Sequence, residues 1–450
     1  MTGPATAGEA RADAIDTAAL LEFMYRLGQA YLACGEQTAQ VELTLRRIAA
    51  AYGMRKSRVV AFPTAIFITL HDDTGERVTL SEGATHILRL DQMADVFALG
   101  ARAQRGELAP KEGLDRLSAI LRRPARFGAA GAVIGHAIMT AGLALVLVPT
   151  LANLAAAAIL GAIVGALKLL NRERAVLSVP TPVIAAALVS GLVYLAVGYG
   201  LPIDPLFVLV PPLVSFLPGA MLGFGMVELA YGDMVSGSSR LITGLVQLVL
   251  LAFGLAAGAL LVGVGPQELL YPAAKATYAP WMQWAPWAGA IVFTVGVAAH
   301  YSAPRNSFLW LLLVALAAFG AQRAAAMVFG SEISGFFGSM IAMPVAYLIQ
   351  TAFRGPPAAV TFLPSFWLLV PGSLGLLSVT RMLSDRAAGI DGLITAVFAV
   401  VSIALGTLVG ATLYRWVTEK FGRWELQIGR VSSHLRRQKP KSKPPAKPAP

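Results

Sequence analysis

From residue 128 to residue 413 the chain is a succession of apolar stretches separated by short polar breaks. A helix crosses a bilayer with about 20 apolar residues. Ten stretches approach or exceed that length, at 128–148, 151–170, 181–200, 206–231, 241–263, 288–303, 307–327, 333–353, 359–379 and 390–413, the sixth being short. Composition agrees, since 56% of the 450 residues are hydrophobic, 14% are charged and mean hydropathy is +0.66. A soluble chain would carry roughly a quarter charged residues.

Two elements inside these stretches are one unit written twice. Phe216-Leu217-Pro218-Gly219, a polar break, Leu241-Ile242-Thr243, Gly254 and Gly258 match Leu369-Val370-Pro371-Gly372, a polar break, Leu393-Ile394-Thr395, Gly406 and Gly410. The offset is 152 residues from Leu241 to Gly258 and 153 at the Pro-Gly pair, so a single-residue gap aligns the copies. Five stretches lie on each side of 264–287. An odd number of crossings per copy makes the second copy enter from the opposite face. The expected fold is therefore a polytopic α-helical membrane protein, about ten transmembrane helices in a 5+5 inverted repeat, behind a small soluble α+β domain. Proline removes a backbone donor and glycine loosens packing, so each Pro-Gly element predicts a kinked or broken helix whose carbonyls and amides can face a substrate. Duplicated, interrupted helices of this kind are what transporters are commonly built from.

Glu228, nine residues after Gly219, is the most informative charge in the apolar region. A carboxylate at a helix centre costs about 2.5–3.5 kcal/mol on the insertion scale, and less toward the end of a span. It can bind a substrate ammonium, carry a coupling proton or pair with Arg240. The segment Gly232-Asp233-Met234-Val235-Ser236-Gly237-Ser238-Ser239-Arg240 is small and polar, which suits a flexible gate, and Arg381-Met382-Leu383-Ser384-Asp385-Arg386 is its counterpart. His136 and His300 could carry protons, but each is a lone histidine near small residues, and packing or interfacial placement is the simpler reading. No carboxylate follows Gly372 within its span, so the coupling residue is expected once only.

Residues 17–126 read as a cytoplasmic α+β domain after a disordered start at 1–16. Leu20, Phe23, Met24, Leu27 and Tyr31 recur at helical spacing, as do Leu43, Leu45, Ile48 and Tyr52. Arg58 to Leu70 and Arg77 to Leu80 predict a hairpin broken at Asp72-Asp73-Thr74-Gly75, with a third strand near Thr85 to Leu90. Glu36, Gln37, Thr38 and Glu42 form a polar cluster that could place Thr38 and Glu42 on one helix face. A domain acting as sensor or enzyme on a membrane anchor is the rival to transport. The remaining divisions are 127–263 for membrane module 1, 264–287 for an outer interfacial loop, 288–414 for module 2 and 415–450 for a basic disordered tail.

Net charge is +11, divided as +1 over residues 1–127, +2 over 128–414 and +8 over 415–450. Such a tail is read as a topology determinant near anionic lipid rather than a nucleic-acid site, placing both termini in the cytoplasm. Arg122, Arg123, Arg126, Lys168, Arg172, Arg174, Arg240, Arg305 and Arg354 then fall inside, and Lys275, Arg323, Arg381 and Arg386 outside or near it. Trp281, Trp284 and Trp287 suit an outer interface. The first 16 residues contain no apolar signal segment. A single cysteine, Cys34, allows no intrachain disulfide and no cysteine-based metal site. The motifs of zinc proteases, α/β-hydrolases and P-loop ATPases do not occur, so no enzyme activity, cofactor or metal is expected.

Three motifs resemble the threonine/serine exporter family over residues 17–413. They are Tyr31-Leu32-Ala33-Cys34-Gly35-Glu36-Gln37-Thr38-Ala39-Gln40-Val41-Glu42 with Arg46-Arg47-Ile48-Ala49 and Tyr52-Gly53, then Phe62-Pro63-Thr64-Ala65-Ile66-Phe67, then Phe216-Leu217-Pro218-Gly219 through Glu228-Leu229, Gly232, Gly237 and Ser239-Arg240-Leu241. The resemblance implies a multi-pass protein of the cytoplasmic (inner) membrane that exports threonine and serine on the proton motive force. Similar modules also occur as two separate chains associated with succinate export. Substrate and coupling residues implied are Pro218, Gly219, Glu228, Gly232, Asp233, Gly237, Ser239, Arg240, Pro371, Gly372, Arg381 and Asp385, with Gly35, Thr38 and Glu42 in the N-terminal motif. Partners implied are a small-molecule substrate and the lipid bilayer, without nucleic acid, and a homo-oligomer is compatible with this reading.

Overall fold

The computed structural model describes residues 16–54, 56–72, 75–82, 88–147, 150–171, 180–265, 283–369, 371–382 and 385–437. The chain begins with α1 (Thr17–Ala33) and α2 (Thr38–Ala51). The Asp16 carboxylate accepts the Ala19 N–H at 3.1 Å, capping α1, and Gly35 at φ +79° turns the chain toward α2. A three-stranded antiparallel sheet follows, β1 (Arg58–Phe62), β2 (Ala65–Asp72) and β3 (Gly75–Glu82), in the order β1-β2-β3. Then come α3 (Leu90–Gln104) and α4 (Pro110–Arg122). Leu20, Phe23, Leu27, Val41, Leu45, Ile48, Ile66, Ile68 and Leu70 are fully buried together. Burying each such side chain contributes about 1.5–3 kcal/mol.

The strands depart from expectation. Arg58 to Leu70, read as one β run, is two strands, because Pro63 and Thr64 make a tight turn that pairs Phe62 with Ala65. Proline lacks the N–H a ladder needs, so the run folds back on itself there. The third strand among the described residues is β3; of the strand expected at Thr85 to Leu90, residues up to 87 lie outside the described set, and Leu90 opens α3. Glu42 belongs to this framework. Its Oε1 accepts the Ala61 N–H at 2.9 Å and its Oε2 pairs with Arg46 at 3.3 Å. It thereby caps the outer edge of β1, where an unpaired N–H would otherwise be buried. Glu42→Ala is expected to destabilise the N-terminal unit by about 1–3 kcal/mol, read as a lower midpoint in thermal unfolding.

The apolar region contains α5 (Gly128–Leu147), α6 (Leu151–Asn171), α7 (Pro180–Gly198), the short α8 (Pro205–Val208), a 3-10 turn (Pro211–Phe216), α9 (Gly219–Ala230) and α10 (Met234–Leu261). It continues with α11 (Ala285–His300), α12 (Phe308–Phe329), α13 (Ser331–Thr351), α14 (Ala358–Leu368), α15 (Pro371–Arg381) and α16 (Arg386–Arg437). Among the described residues seven helices are long and apolar enough to cross a membrane, namely α5, α6, α7, α10, α12 with its leading turn, α13 and α16 to Thr418, while α9, α11 and α14 are shorter apolar helices. The stretches at 206–231 and 359–379, each read as one span, are interrupted at Pro218 and beyond Leu368, where α14 ends before α15 begins at Pro371. Met234–Arg240, read as a flexible loop, is the first two turns of α10, leaving only Tyr231, Gly232 and Asp233 as the connection. Helical backbone also runs on to Arg437, past residue 414 where disorder was expected, since no proline occurs after Pro371 until Pro440. Residues 1–15 and 438–450, together with Arg172, Arg174, Lys275, Trp281, Leu383 and Ser384, lie outside the described residues.

The repeated glycines sit at matched contacts. A Cβ at Gly254 would lie 2.5 Å from the Val183 carbonyl oxygen and one at Gly406 2.1 Å from that of Phe336. At Gly258 and Gly410 the corresponding oxygens belong to Ala187, at 2.1 Å, and Met340, at 2.7 Å. Both pairs of carbonyls are separated by 153 residues. Thus α7 against α10 and α13 against α16 approach closely through the same small-residue seam, which a side chain would wedge open. The ends differ. The start of α10 faces the N-terminal unit through Arg240, whereas α16 reaches its vicinity further along, where Tyr414 stacks on Tyr347 at 5.2 Å. Tyr347 in turn lies within electrostatic range of Glu36.

Candidate functional site

Breaking a helix frees backbone groups, and each break has a side-chain amide beside it. Gln247 Nε2 donates to the Phe216 carbonyl at 2.6 Å, and Gln322 Nε2 to the Leu369 carbonyl at 3.5 Å. Phe216 and Leu369 are again 153 residues apart. Pro218 precedes α9 and Gly219 begins it. Pro371 and Gly372 begin α15. These four residues therefore set where the helices restart.

At the far end of α9 the carboxylate of Glu228 is only 2% exposed. Its Oε1 accepts the Thr38 N–H at 3.1 Å and its Oε2 lies 3.0 Å from Arg240 Nε. Thr38 Oγ1 is 2.5 Å from Asp233 Oδ2 and 3.3 Å from Glu228 Oε1. One hydroxyl carries one proton, so it serves the closer Asp233 and leaves the amide for Glu228. Arg240 Nη2 also donates to the Glu36 carbonyl at 3.0 Å. Gln37, the residue before α2, makes no side-chain cap, and Glu228 fills that role from another part of the chain. Carboxylates are favoured at a helix start, where amides are unpaired and the dipole is positive.

The cluster depends on close backbones. A Cβ at Gly237 would lie 2.7 Å from the Gly225 carbonyl oxygen, so α9 and α10 touch there, and Gly232 at φ +86° makes the reversal between them. Glu228 Oε2, Arg240 Nε and Ser236 Oγ are buried without an aligned hydrogen bond. The Glu228–Arg240 contact is consequently a charge pairing of poor hydrogen-bond alignment, with polar capacity unused around it. Half-buried Glu36 stands nearby. Loss of solvent pushes its carboxyl above the usual carboxylate range, with the Gln37 N–H and the Arg240 charge opposing.

Of the residues singled out in the sequence, Gly35, Thr38, Glu228, Gly232, Asp233, Gly237 and Arg240 come together here. Ser239 is beside them on α10, where its carbonyl accepts Thr243 Oγ1 at 2.7 Å. Glu42 points to β1 instead. Arg381 ends α15, and the exposed Asp385 accepts the Ala388 N–H at 3.1 Å, capping α16.

A second polar cluster went unrecognised in the sequence. His136 on α5 places Nδ1 2.8 Å from the Gly161 carbonyl and Nε2 3.0 Å from Ser215 Oγ. His300, ending α11, places Nδ1 2.6 Å from the Ala132 carbonyl and Nε2 3.4 Å from Lys168 Nζ. The two rings are 4.9 Å apart, edge to face. Lys168, counted among charges fixing topology, turns toward the Phe216 ring at 5.4 Å and the Tyr301 ring at 6.0 Å. The available signal was the rarity of lysine inside an apolar helix.

Seven long apolar helices with interrupted shorter ones define a multi-pass helical membrane protein. The family model described as "Putative threonine/serine exporter" (ThrE) matches residues 22–262, more than half of the chain, and the chain belongs to that family of membrane transporters. The match runs from α1 to the end of α10. No curated protein and no solved structure matches the chain.

Proposed function

We propose that the chain is a secondary transporter that exports small amino acids, threonine and serine, across the cytoplasmic membrane on the proton motive force. The repeated seam carries this reading: Gly254 and Gly258 on α10, against α7, and Gly406 and Gly410 on α16, against α13, share one spacing, and α10 approaches the N-terminal unit near its start whereas α16 comes into its vicinity further along, at Tyr414. Two such modules of five crossings, inverted with respect to each other, give a scaffold that can open to either face. Ten crossings result when α11 and the interrupted pairs α8–α9 and α14–α15 are added to the seven long helices. The N-terminal unit and the tail then lie in the cytoplasm, and Glu228, Asp233, Arg240 and Thr38 couple that unit to the broken helix.

The Lys168 cluster suits any small carboxylate, so succinate is the second substrate to test. Proteoliposomes loaded with labelled threonine, serine or succinate are expected to release one of them in a saturable manner, faster with a proton gradient directed into the vesicle lumen and slower with an uncoupler. Release equal to that of protein-free liposomes for all three would remove the reading.

A further inference from the structure

We propose that Lys168, His300, His136 and Ser215 form the subsite that receives the carboxylate of the transported molecule. This rests on the transporter reading and adds a location and a chemistry to it. The four side chains come from α6, α11, α5 and the 3-10 turn before the broken helix, so both halves of the membrane region contribute. Transporters place substrates at such a boundary between repeats, beside interrupted helices.

Hydrogen-bond accounting supports an anion. A carbonyl can only accept, so the contacts to Gly161 and Ala132 assign the proton of each imidazole to Nδ1. Nε2 of neutral His300 is then an acceptor and takes one of the three Lys168 N–H groups. Nε2 of neutral His136 likewise takes the Ser215 hydroxyl proton. Two ammonium protons of Lys168 remain, directed among the aromatic faces of Phe216 and Tyr301, which favour a cation but do not neutralise it.

The charge balance is equally specific. Among the described residues Arg240 pairs with Glu228 and Arg89 with Asp91, but no carboxylate pairs with Lys168. A cation held among apolar side chains without a counter-ion is costly. An arriving carboxylate would supply the missing charge and accept the two free N–H groups.

The test uses the full chain in proteoliposomes and in detergent, with L-threonine, L-serine, succinate and the carboxylate-free L-threonine amide as probes. The wild type is expected to be thermally stabilised by one or more of the carboxylates and not by the amide. Lys168→Gln should raise KM for efflux roughly 10- to 100-fold, the range set by losing one charge-assisted contact, and abolish that stabilisation. Lys168→Arg should recover part of the affinity. Lys168→Gln with wild-type KM and wild-type stabilisation overturns the subsite while leaving the transporter intact. If the wild type moves none of the three substrates, the transporter reading fails, and ligand stabilisation alone decides the subsite: a carboxylate shift lost in Lys168→Gln supports it, an equal or absent shift overturns it. Should Lys168→Gln not fold, Ser215→Ala serves, with a several-fold rise in KM expected and an unchanged KM and stabilisation contradicting the proposal.

Discussion

Glu228→Gln is expected to reduce efflux at least tenfold while leaving the protein folded, with the segment around Thr38 exchanging its amide protons faster. Glutamine can still accept the Thr38 N–H, so geometry alone does not account for the loss. What disappears is the charge facing Arg240, whose own side chain is 12% exposed and keeps only the Glu36 carbonyl. Removing one partner of a buried pair costs about 3–5 kcal/mol because the other charge stays behind. Partial exposure of Arg240 and the surviving Thr38 contacts place the effect near the lower end. The double variant Glu228→Gln with Arg240→Gln removes both charges together and should lose less than the two single changes added. Strict additivity in hydrogen exchange and efflux would show that the two residues act independently.

Alanine at Gly258 or at Gly410 is expected to destabilise the packing of the membrane helices. The added carbon at Gly258 would meet the Ala187 carbonyl oxygen at 2.1 Å, and at Gly410 that of Met340 at 2.7 Å. Neither neighbour is the free end of a flexible side chain, so a whole helix has to move. Overpacking of this kind costs about 1–3 kcal/mol. Each variant should lower the thermal midpoint, Gly258→Ala more than Gly410→Ala, and the double variant should show nearly the sum because the seams are separate. A seam tolerating alanine without loss would show that the two repeats are not packed equivalently.

Much of this was legible because membrane packing leaves a simple record. Close helix approach demands glycine, and Gly254, Gly258, Gly406 and Gly410 display it at a constant offset. Glu228 stood out because carboxylates are expensive in apolar helices, and Arg240 lay near enough to be named as its partner. Thr38 as the third member was not legible as a contact, since the two residues are 190 positions apart and only the folded chain brings α2 onto the end of α9. The start of α10 was misread for a physical reason. Ser236, Gly237, Ser238 and Ser239 have weak helix propensity, but the same small residues allow contact with Gly225, and packing outweighs propensity. Pro63 was overlooked inside a run of β-formers, although a missing N–H is what allows the turn. The Lys168 cluster was hidden most completely, because its four members lie on four segments and each alone resembles a packing or topology residue.

The most direct measurement of the central claim is efflux of labelled threonine, serine and succinate from proteoliposomes containing the wild-type chain, with and without a proton gradient. Saturable, gradient-accelerated release of at least one of the three, lost in Glu228→Gln, is the predicted result. Release no faster than from protein-free liposomes for all three, in a preparation shown to be folded, would contradict it.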